Sequence, residues 1–181
     1  MSNRKLSKYI TEETFCHSDT ATALKMQNVF TPIAFNNAVI LCQDFYDPIL
    51  DYYSKKLNGH NPASLLILSS GYRCIELNKK IGGDAKSQHP FGNAGDTNIF
   101  GIPPKQLFND IISGRIKQRN GKPLKDIIDQ CIYEQKIING KLVIWVHIGR
   151  AGKSRNQFMQ ANIKTVNGQT QSSYSSVCSE I

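Results

Sequence analysis

Two histidines and one aspartate in this sequence are of the types that bind a catalytic metal ion. His89 and Asp96 lie in the segment SQHPFGNAGD (residues 87–96), and His147 lies in IWVHIG (residues 144–149). Taken separately, the first segment reads as a turn-rich loop with an ordinary histidine, and the second as a strand with a hydrogen-bonded core histidine. Taken together, two imidazole nitrogens and one carboxylate oxygen make the ligand set of a catalytic zinc site, with a fourth position left for water or substrate. We call these three residues the His-Asp-His triad.

The residues between the first two members of the triad favour the metal interpretation. Gly92, Ala94 and Gly95 are small enough for the backbone to fold tightly. We therefore expect these small residues to let His89 and Asp96 meet on one metal ion.

A hydrolytic metal site also needs a general base near the water that the metal activates. Asn139 and Gly140 separate two runs rich in β-branched and aromatic residues, which is the strongest short-range signal for a hairpin with a two-residue turn. That turn pairs Ile132 with His147 and places Glu134 diagonal to His147 on the same face, roughly 7–8 Å away between Cα atoms. Glu134 is thus the candidate base, and the alternative is a surface glutamate without a catalytic role.

The helices and strands that must position these residues can be predicted from hydrophobic periodicity and from the capping, proline and glycine residues that start or end them. Thr31 and Pro32 predict the start of a long core helix that ends near Asn58 and Gly59. The remaining predicted elements are a strand at 63–68, a helix at 72–80, a helix through 108–112 ended by Gly114, and hairpin strands at 130–138 and 141–148. This order predicts an α+β fold with a single domain, residues 1–165, in which a small antiparallel sheet packs against helices. The polar, Ser-rich residues 166–181 predict a flexible C-terminal tail.

The charge of the chain favours an anionic partner. Lys and Arg number 22 against 14 Asp and Glu, so the formal net charge is +8. Nucleic acid, a membrane surface or a bacterial cell wall would all fit. Residues 115–125 are the most basic segment, either a solvated loop or a contact to an anionic polymer; because no aromatic residues are interleaved there, nucleic-acid binding is not expected.

Other composition features indicate a protein made in the cytoplasm. The five cysteines form no paired motif, which favours reduced thiols. His17 and His60 lie in polar surroundings that favour surface or capping roles. No stretch matches a signal peptide or a membrane span. We expect action in the bacterial periplasm or cell wall, or in association with a virion, only if another protein provides the route.

Four segments, in order, resemble one family of enzymes. They are SSGYRCIELNKKIGG (69–83), SQHPFGNAGD (87–96), DQCIYE (129–134) and WVHIGR (145–150). The chain is similar to the zinc D-alanyl-D-alanine carboxypeptidases and L-alanyl-D-glutamate endopeptidases, which cut peptidoglycan stem peptides, and GKSRNQF (152–158) is similar to their compact bacteriophage versions. The resemblance implies a Hedgehog/D-Ala-D-Ala peptidase-like fold.

The resemblance also implies roles for individual residues. In that family the residues matching the His-Asp-His triad bind zinc, and the one matching Arg73 contacts substrate or the transition state. Ser87 and Gln88 correspond to weaker candidates for polar support and substrate binding. Better-studied branches place the base three residues before the last histidine, where this chain has Ile144. The compact branch instead uses an acid that matches Glu134.

These observations predict a zinc-dependent peptidase, carboxypeptidase or endopeptidase, acting on peptidoglycan as a phage lysin or entry factor. The alternative is a non-catalytic cell-wall-binding or virion structural protein that retains the fold and the metal. Ile144 favours this alternative, and the presence of the whole triad favours the enzyme.

Overall fold

Helices of modest length and one broad sheet make up the part of the chain that this computed structural model describes, residues 3–166 and 169–177. The α-helices are α1 (Glu12–Cys16), α2 (Asp19–Ala23), α3 (Pro32–Leu41), α4 (Asp47–Lys56), α5 (Pro62–Leu65), α6 (Ile75–Lys80) and α7 (Pro104–Ile112). The strands are β1 (Leu66–Ser70), β2 (Ala94–Ile99), β3 (Gln130–Ile138), β4 (Lys141–Gly149), β5 (Gln157–Val166) and β6 (Gln169–Ser176). None of the described helices has the length and apolar character needed to cross a lipid bilayer.

The strands form a mixed sheet in the order β1-β2-β4-β3-β5-β6. All neighbouring pairs are antiparallel except β3 and β5, which run parallel. The predicted α+β class is confirmed, but the sheet is larger than the expected small antiparallel one. The difference arises after β4, where residues 150–156 cross the start of β3 and place Gln157 beside Gln130.

The C-terminal segment differs from the expected flexible tail where the structure describes it. Gln169–Ser176 form β6, which pairs antiparallel with β5 across the predicted domain boundary. Polar side chains permit this because an edge strand is held by backbone hydrogen bonds to its neighbour and can leave much of its surface in water. Residues 167–168 and 178–181 of the predicted tail lie outside the described residues.

The predicted long core helix is present with an irregularity in its centre. The Thr31 side chain accepts a hydrogen bond from the Ala34 amide and caps α3, with Pro32 in the first turn. A π-helical segment, Cys42–Tyr46, then joins α3 to α4. Pro48 follows it, and a proline cannot donate the usual bond to the carbonyl four residues earlier. We call α3, the π segment and α4 together the helical rod.

The helical rod and α7 cover one face of the sheet. Phe108 of α7 contacts Tyr133 of β3 in an edge-to-face arrangement. Most of the rod's inward side chains, including Leu41, Tyr46 and Tyr53, are fully buried. Since Val146, Ile148 and Cys131 point to this core, the alternating pattern of the strands turns His147 and Glu134 to the opposite face.

Two predicted elements begin later than expected. The apolar run at 63–68 starts as α5, because Asn61 caps Ala63 and Pro62 occupies the first turn, so β1 begins only at Leu66. The helix expected from Tyr72 begins at Ile75. Here the amide of Tyr72 donates instead to the carbonyl of Phe15, at 2.8 Å.

The predicted hairpin is confirmed with its register. Asn139 and Gly140 both have positive φ, 50° and 74°, which suits a two-residue turn of the hairpin type. Ile132 pairs with His147 and Glu134 with Trp145. The face shared by Glu134 and His147 therefore follows from the turn.

Two arginines of the basic segment 115–125 form ion pairs with buried aspartates of the fold. Arg115 pairs with the buried Asp110 at 2.9 Å, and Arg119 pairs with the buried Asp47 at 3.0 Å. Arg115 thus ties the segment to α7 and Arg119 ties it to the helical rod, which leaves fewer free cations for a polyanion. The cysteines within the described residues are free thiols, and Cys178 lies outside them.

Candidate metal centre

The fold brings the His-Asp-His triad together from two strands and one turn. Asp96 on β2 lies directly opposite His147 on β4, and His89 opens a 3-10 turn, His89–Phe91, just before β2. Asp96 Oδ1 is 2.9 Å from His147 Nδ1 and 3.4 Å from His89 Nε2. One ligand atom from each side chain lies within 4.8 Å of the others. The sequence suggested that Asp96 lies in a loop. In the structure it belongs instead to β2, the strand paired with His147 on β4.

The tautomer of His89 is set by the backbone. His89 Nδ1 lies 2.7 Å from the carbonyl oxygen of Gly71, which can only accept a hydrogen bond. Nδ1 must carry the proton, so Nε2 presents its lone pair toward Asp96. Burial also lowers the pKa of His89, which favours the neutral ring that binds metals.

The other two triad members form a charge-assisted pair. Burial by itself would raise the pKa of Asp96, but the adjacent His89 and His147 more than offset this and hold it well below its ordinary value. Burial works against a charged His147, yet its hydrogen bond to Asp96 raises the pKa of that imidazole. The ionised carboxylate is thus ready to bind a cation that displaces the proton from His147.

This donor set fits zinc. Two imidazole nitrogens and one carboxylate oxygen, all buried at one point, are the kind of three-ligand arrangement that zinc hydrolases use. The Nδ1 of His89 is also hydrogen-bonded to a backbone carbonyl, that of Gly71, and bonds of this kind orient metal-binding histidines.

The small residues between His89 and Asp96 are needed for contact with the helical rod. A Cβ at Gly92 would lie 2.1 Å from the backbone oxygen of Ala34, and Gly92 has a φ of +67°. A Cβ at Gly95 would lie 2.3 Å from the hydroxyl of Tyr46. The expected convergence of His89 and Asp96 is seen, and the glycines serve it by letting the segment pack against the rod.

Gly95→Ala should destabilise the fold by about 1–3 kcal/mol, the usual range for overpacking a tight core. The reason is that the Tyr46 ring is fully buried, so moving its hydroxyl away from the new Cβ would disturb the packing around it. Thermal unfolding should show a lower midpoint than wild type. Gly152→Ala is the control, since a Cβ there meets nothing within 4 Å.

A second substitution identifies the clashing atom. Tyr46 Oη is buried without a hydrogen-bond partner among the described residues, so Tyr46→Phe should cost little by itself. Combined with Gly95→Ala, it should recover much of the lost stability. If the double variant is no more stable than Gly95→Ala alone, the hydroxyl contact does not explain why residue 95 is glycine.

Glu134 lies on the same face of the sheet as the triad, and the pKa of its carboxyl group is raised. Burial, together with the negative charge of Asp96, raises the pKa of Glu134 from 4.5 to about 7. His147, Trp145 and Arg73 partly oppose this rise, although no well-formed hydrogen bond joins Trp145 Nε1 to Glu134. A carboxylate with this pKa can take up and release a proton near neutral pH.

The raised pKa of Glu134 predicts a pH-dependent stability of the metal-free protein. A folded-state pKa of about 7 against 4.5 means that the unfolded chain releases this proton more readily. The contribution of Glu134 is therefore fully present below pH 4.5 and lost as pH rises to about 7. Denaturant unfolding measured across this window should show that wild type loses stability relative to Glu134→Gln. Parallel pH profiles of the two proteins would contradict the raised pKa.

Arg73 places a cation beside the triad. Its Nε is buried with no hydrogen-bond partner in the described part of the chain. Burial lowers the pKa of Arg73, while Asp96 and Glu134 favour its charged form. A guanidinium that is this poorly satisfied is suited to a negatively charged group of a substrate.

Asn28, which sequence reasoning missed, holds the backbone on both sides of Arg73. Its Nδ2 donates to the carbonyls of Tyr72 and Cys16, and its Oδ1 accepts from the amide of Cys74, each at 2.8 Å. Nothing in the local sequence signals this contact, because Asn28 is distant along the chain.

The two weaker candidates from the sequence have different surroundings. Ser87 Oγ accepts a long hydrogen bond, 3.4 Å, from the amide of His89. The side-chain nitrogen of Gln88, Nε2, donates to the Asp129 carboxylate and to the carbonyl of Arg150, so it is already bonded to other groups of the protein.

Asp129 and Arg155 form a second group that sequence reasoning did not single out. Asp129 is fully buried and accepts hydrogen bonds from the backbone and side chain of Arg155. Both residues lie in segments quoted for the family resemblance, DQCIYE and GKSRNQF, which was the available signal. The other histidines lie elsewhere: His17 contacts Asp19, and His60 lies near the carbonyl of Leu57.

Comparison with known proteins relates part of the chain to a peptidase family. Residues 54–119 match the family model described as Peptidase M15. The matched stretch includes Arg73, His89 and Asp96 and ends before Glu134 and His147. No curated protein and no solved structure matches the chain significantly. The match supports a metallopeptidase of the M15 family, and the part of the site beyond residue 119 is described by the geometry alone.

Proposed function

We propose that this protein is a zinc-dependent peptidase that hydrolyses a peptide bond in peptidoglycan stem peptides. The observation that carries the proposal is the convergence of the His-Asp-His triad beside Glu134, whose pKa is about 7. The match of residues 54–119 to Peptidase M15 supports the peptidase class independently of that geometry.

Each residue of the site has a task in this reaction. The triad would hold the zinc ion, which would act as a Lewis acid and would lower the pKa of the attacking water. Glu134 accepts a proton from the attacking water at its carboxylate and returns it to the amine nitrogen that leaves. The guanidinium of Arg73 donates to the substrate oxygen on which negative charge develops, or to a substrate carboxylate.

The sheet face beside the triad offers a surface for an extended peptide. Trp145, Glu134, Ala161 and Tyr174 lie in one row across β4, β3, β5 and β6. Ala161 is small and buried, whereas Tyr174 is large and exposed. The surface formed by the row is therefore depressed beside Glu134 and protrudes at β6. We place the stem peptide along this row, with the scissile bond between the triad and Glu134.

Peptidoglycan as the substrate is supported by the family resemblance and by the charge of the chain. A formal net charge of +8 favours association with an anionic wall. The role of a phage lysin or entry factor, acting in the periplasm or cell wall, rests on the similarity to compact bacteriophage enzymes.

Mass spectrometry of digested peptidoglycan tests the proposal. A carboxypeptidase would release free D-alanine, and an endopeptidase would leave L-alanine on the glycan and expose a new D-glutamate amino terminus. We expect one of these products with zinc-loaded protein, loss of the product after chelation, and recovery when zinc is restored. Intact stem peptides with zinc-loaded protein would contradict the peptidase proposal.

The second candidate is a cell-wall-binding or virion structural protein that keeps the fold and the metal without catalysis. Ile144 favours it, because this residue occupies the base position of the better-studied enzymes and cannot accept a proton. Zinc binding and peptidoglycan binding without any cleaved product would support this candidate over the enzyme.

A further inference from the structure

The side chain of Gln88 connects the triad to the buried pair of Asp129 and Arg155. Gln88 Nε2 donates to Asp129 Oδ2 and to the carbonyl oxygen of Arg150, each at 2.9 Å. A carboxylate and a carbonyl can only accept hydrogen bonds, so the amide orientation is set, with nitrogen on this side and oxygen on the other.

Gln88 Oε1 lies on the side of Gly149 and His147. This oxygen is buried and has no hydrogen-bond partner among the residues described. A Cβ added to Gly149 would lie 2.1 Å from Gln88 Oε1 and 3.2 Å from His147 Nε2. The two atoms are therefore neighbours across the space that a glycine leaves open.

His147 offers the matching donor. Its Nδ1 lies 2.9 Å from Asp96 Oδ1 and is the nitrogen on the side of the triad. When Nδ1 binds a cation, the ring proton resides on Nε2, and a proton buried near an acceptor favours a hydrogen bond to it.

We propose that Gln88 is a positioning residue for the metal centre, whose Oε1 accepts a hydrogen bond from Nε2–H of His147 and so keeps Nδ1 as the ligand atom. The inference rests on the proposed function only through its zinc site. Of the two roles expected for Gln88, polar support and substrate binding, it assigns the first.

Asp129 and Arg155 hold Gln88 in this orientation. Asp129 accepts from the amide of Arg155 at 3.0 Å and from its Nε at 2.8 Å. Burial would raise the pKa of Asp129, but these bonds more than offset it, so the carboxylate is ionised and favours the NH₂ group of Gln88 over its oxygen. The segment GKSRNQF thereby supports the metal centre from a distance.

Gln88→Met tests the inference, because methionine has a similar length and lacks the carbonyl acceptor. Zinc affinity, measured by competition with a chelator, should fall by about 10–100-fold, as is typical when the partner behind a metal-binding histidine is lost. Gln43→Met is the control for the substitution itself, since Gln43 is an exposed glutamine whose side chain donates to the Leu6 carbonyl away from the triad. Its zinc affinity should equal that of wild type.

Proton–nitrogen NMR of the histidine rings separates positioning from general structural support. In zinc-loaded wild type, His147 should appear as the Nε2–H tautomer with a protected proton. Gln88→Met should expose or shift that proton and leave Nδ1–H of His89, held by the Gly71 carbonyl, unchanged. The wild-type spectrum suffices if Gln88→Met does not fold.

Three results would overturn the inference. They are a His147 that carries its proton on Nδ1 in zinc-loaded wild type, an unchanged His147 proton in zinc-loaded Gln88→Met, and a zinc affinity of Gln88→Met equal to that of wild type. Failure of wild type to bind zinc would overturn the proposed zinc site as well, whereas the other results leave that site intact.

Discussion

His147→Ala should remove both zinc binding and peptidase activity. The substitution deletes one of three ligands and leaves the buried Asp96 without its 2.9 Å partner. Zinc affinity should fall by more than the factor of about 10–100 that is typical when only the hydrogen-bond partner of a metal ligand is lost. Zinc content after gel filtration, together with calorimetric titration of the metal-free protein, measures this directly.

His17→Ala is the matched control for that experiment. His17 is an exposed histidine whose ring contacts Asp19 and lies outside the triad. It should retain the zinc content and activity of wild type. If His147→Ala binds zinc as tightly as His17→Ala does, the triad is not the zinc site.

Glu134→Gln should keep the zinc and lose about 10²–10⁴-fold in kcat, the usual contribution of a general acid or base. An amide has nearly the same shape as the carboxyl group but cannot accept the proton. Since Glu134 is not among the triad's ligand atoms, zinc content should not change. Turnover of purified peptidoglycan at saturating substrate, measured with zinc-loaded protein, gives the comparison.

Glu76→Gln serves as the control for charge removal, because Glu76 is exposed on α6. It should cut peptidoglycan at the wild-type rate. Equal turnover by Glu134→Gln and Glu76→Gln would mean that the base is another group, and Ile144 cannot be that group.

The hairpin shows how much of the site the sequence could predict. A two-residue turn at Asn139 and Gly140 determines the pairing of every residue along β3 and β4. The shared face of Glu134 and His147 could therefore be predicted without any knowledge of the rest of the fold. The position of Asp96 opposite His147 could not, because AGDTNI has no alternating apolar pattern and is recognisable as β2 only through its neighbours.

The C-terminal strand illustrates the same limit. The segment QTQSSYSS has the composition of a loose tail, yet it forms β6. Composition reports how much apolar surface a segment can bury, but an edge strand gains its stability from a backbone ladder that another part of the chain provides.

The network behind the site depends on contacts between distant parts of the chain. Asn28 meets Cys74 across 46 positions, and Gln88 meets Asp129 across 41. Local patterns carry no information about such pairs. Residue types and spacing could thus indicate the triad and Glu134, whereas the groups that orient them required the fold.

Anomalous X-ray diffraction at the zinc edge, from crystals of the zinc-loaded protein, tests the central claim most directly. We predict a single strong peak enclosed by His89 Nε2, Asp96 Oδ1 and His147 Nδ1, on the sheet face that carries Glu134. A peak elsewhere, or none at the triad with zinc in excess, would contradict the zinc centre on which the proposed peptidase depends.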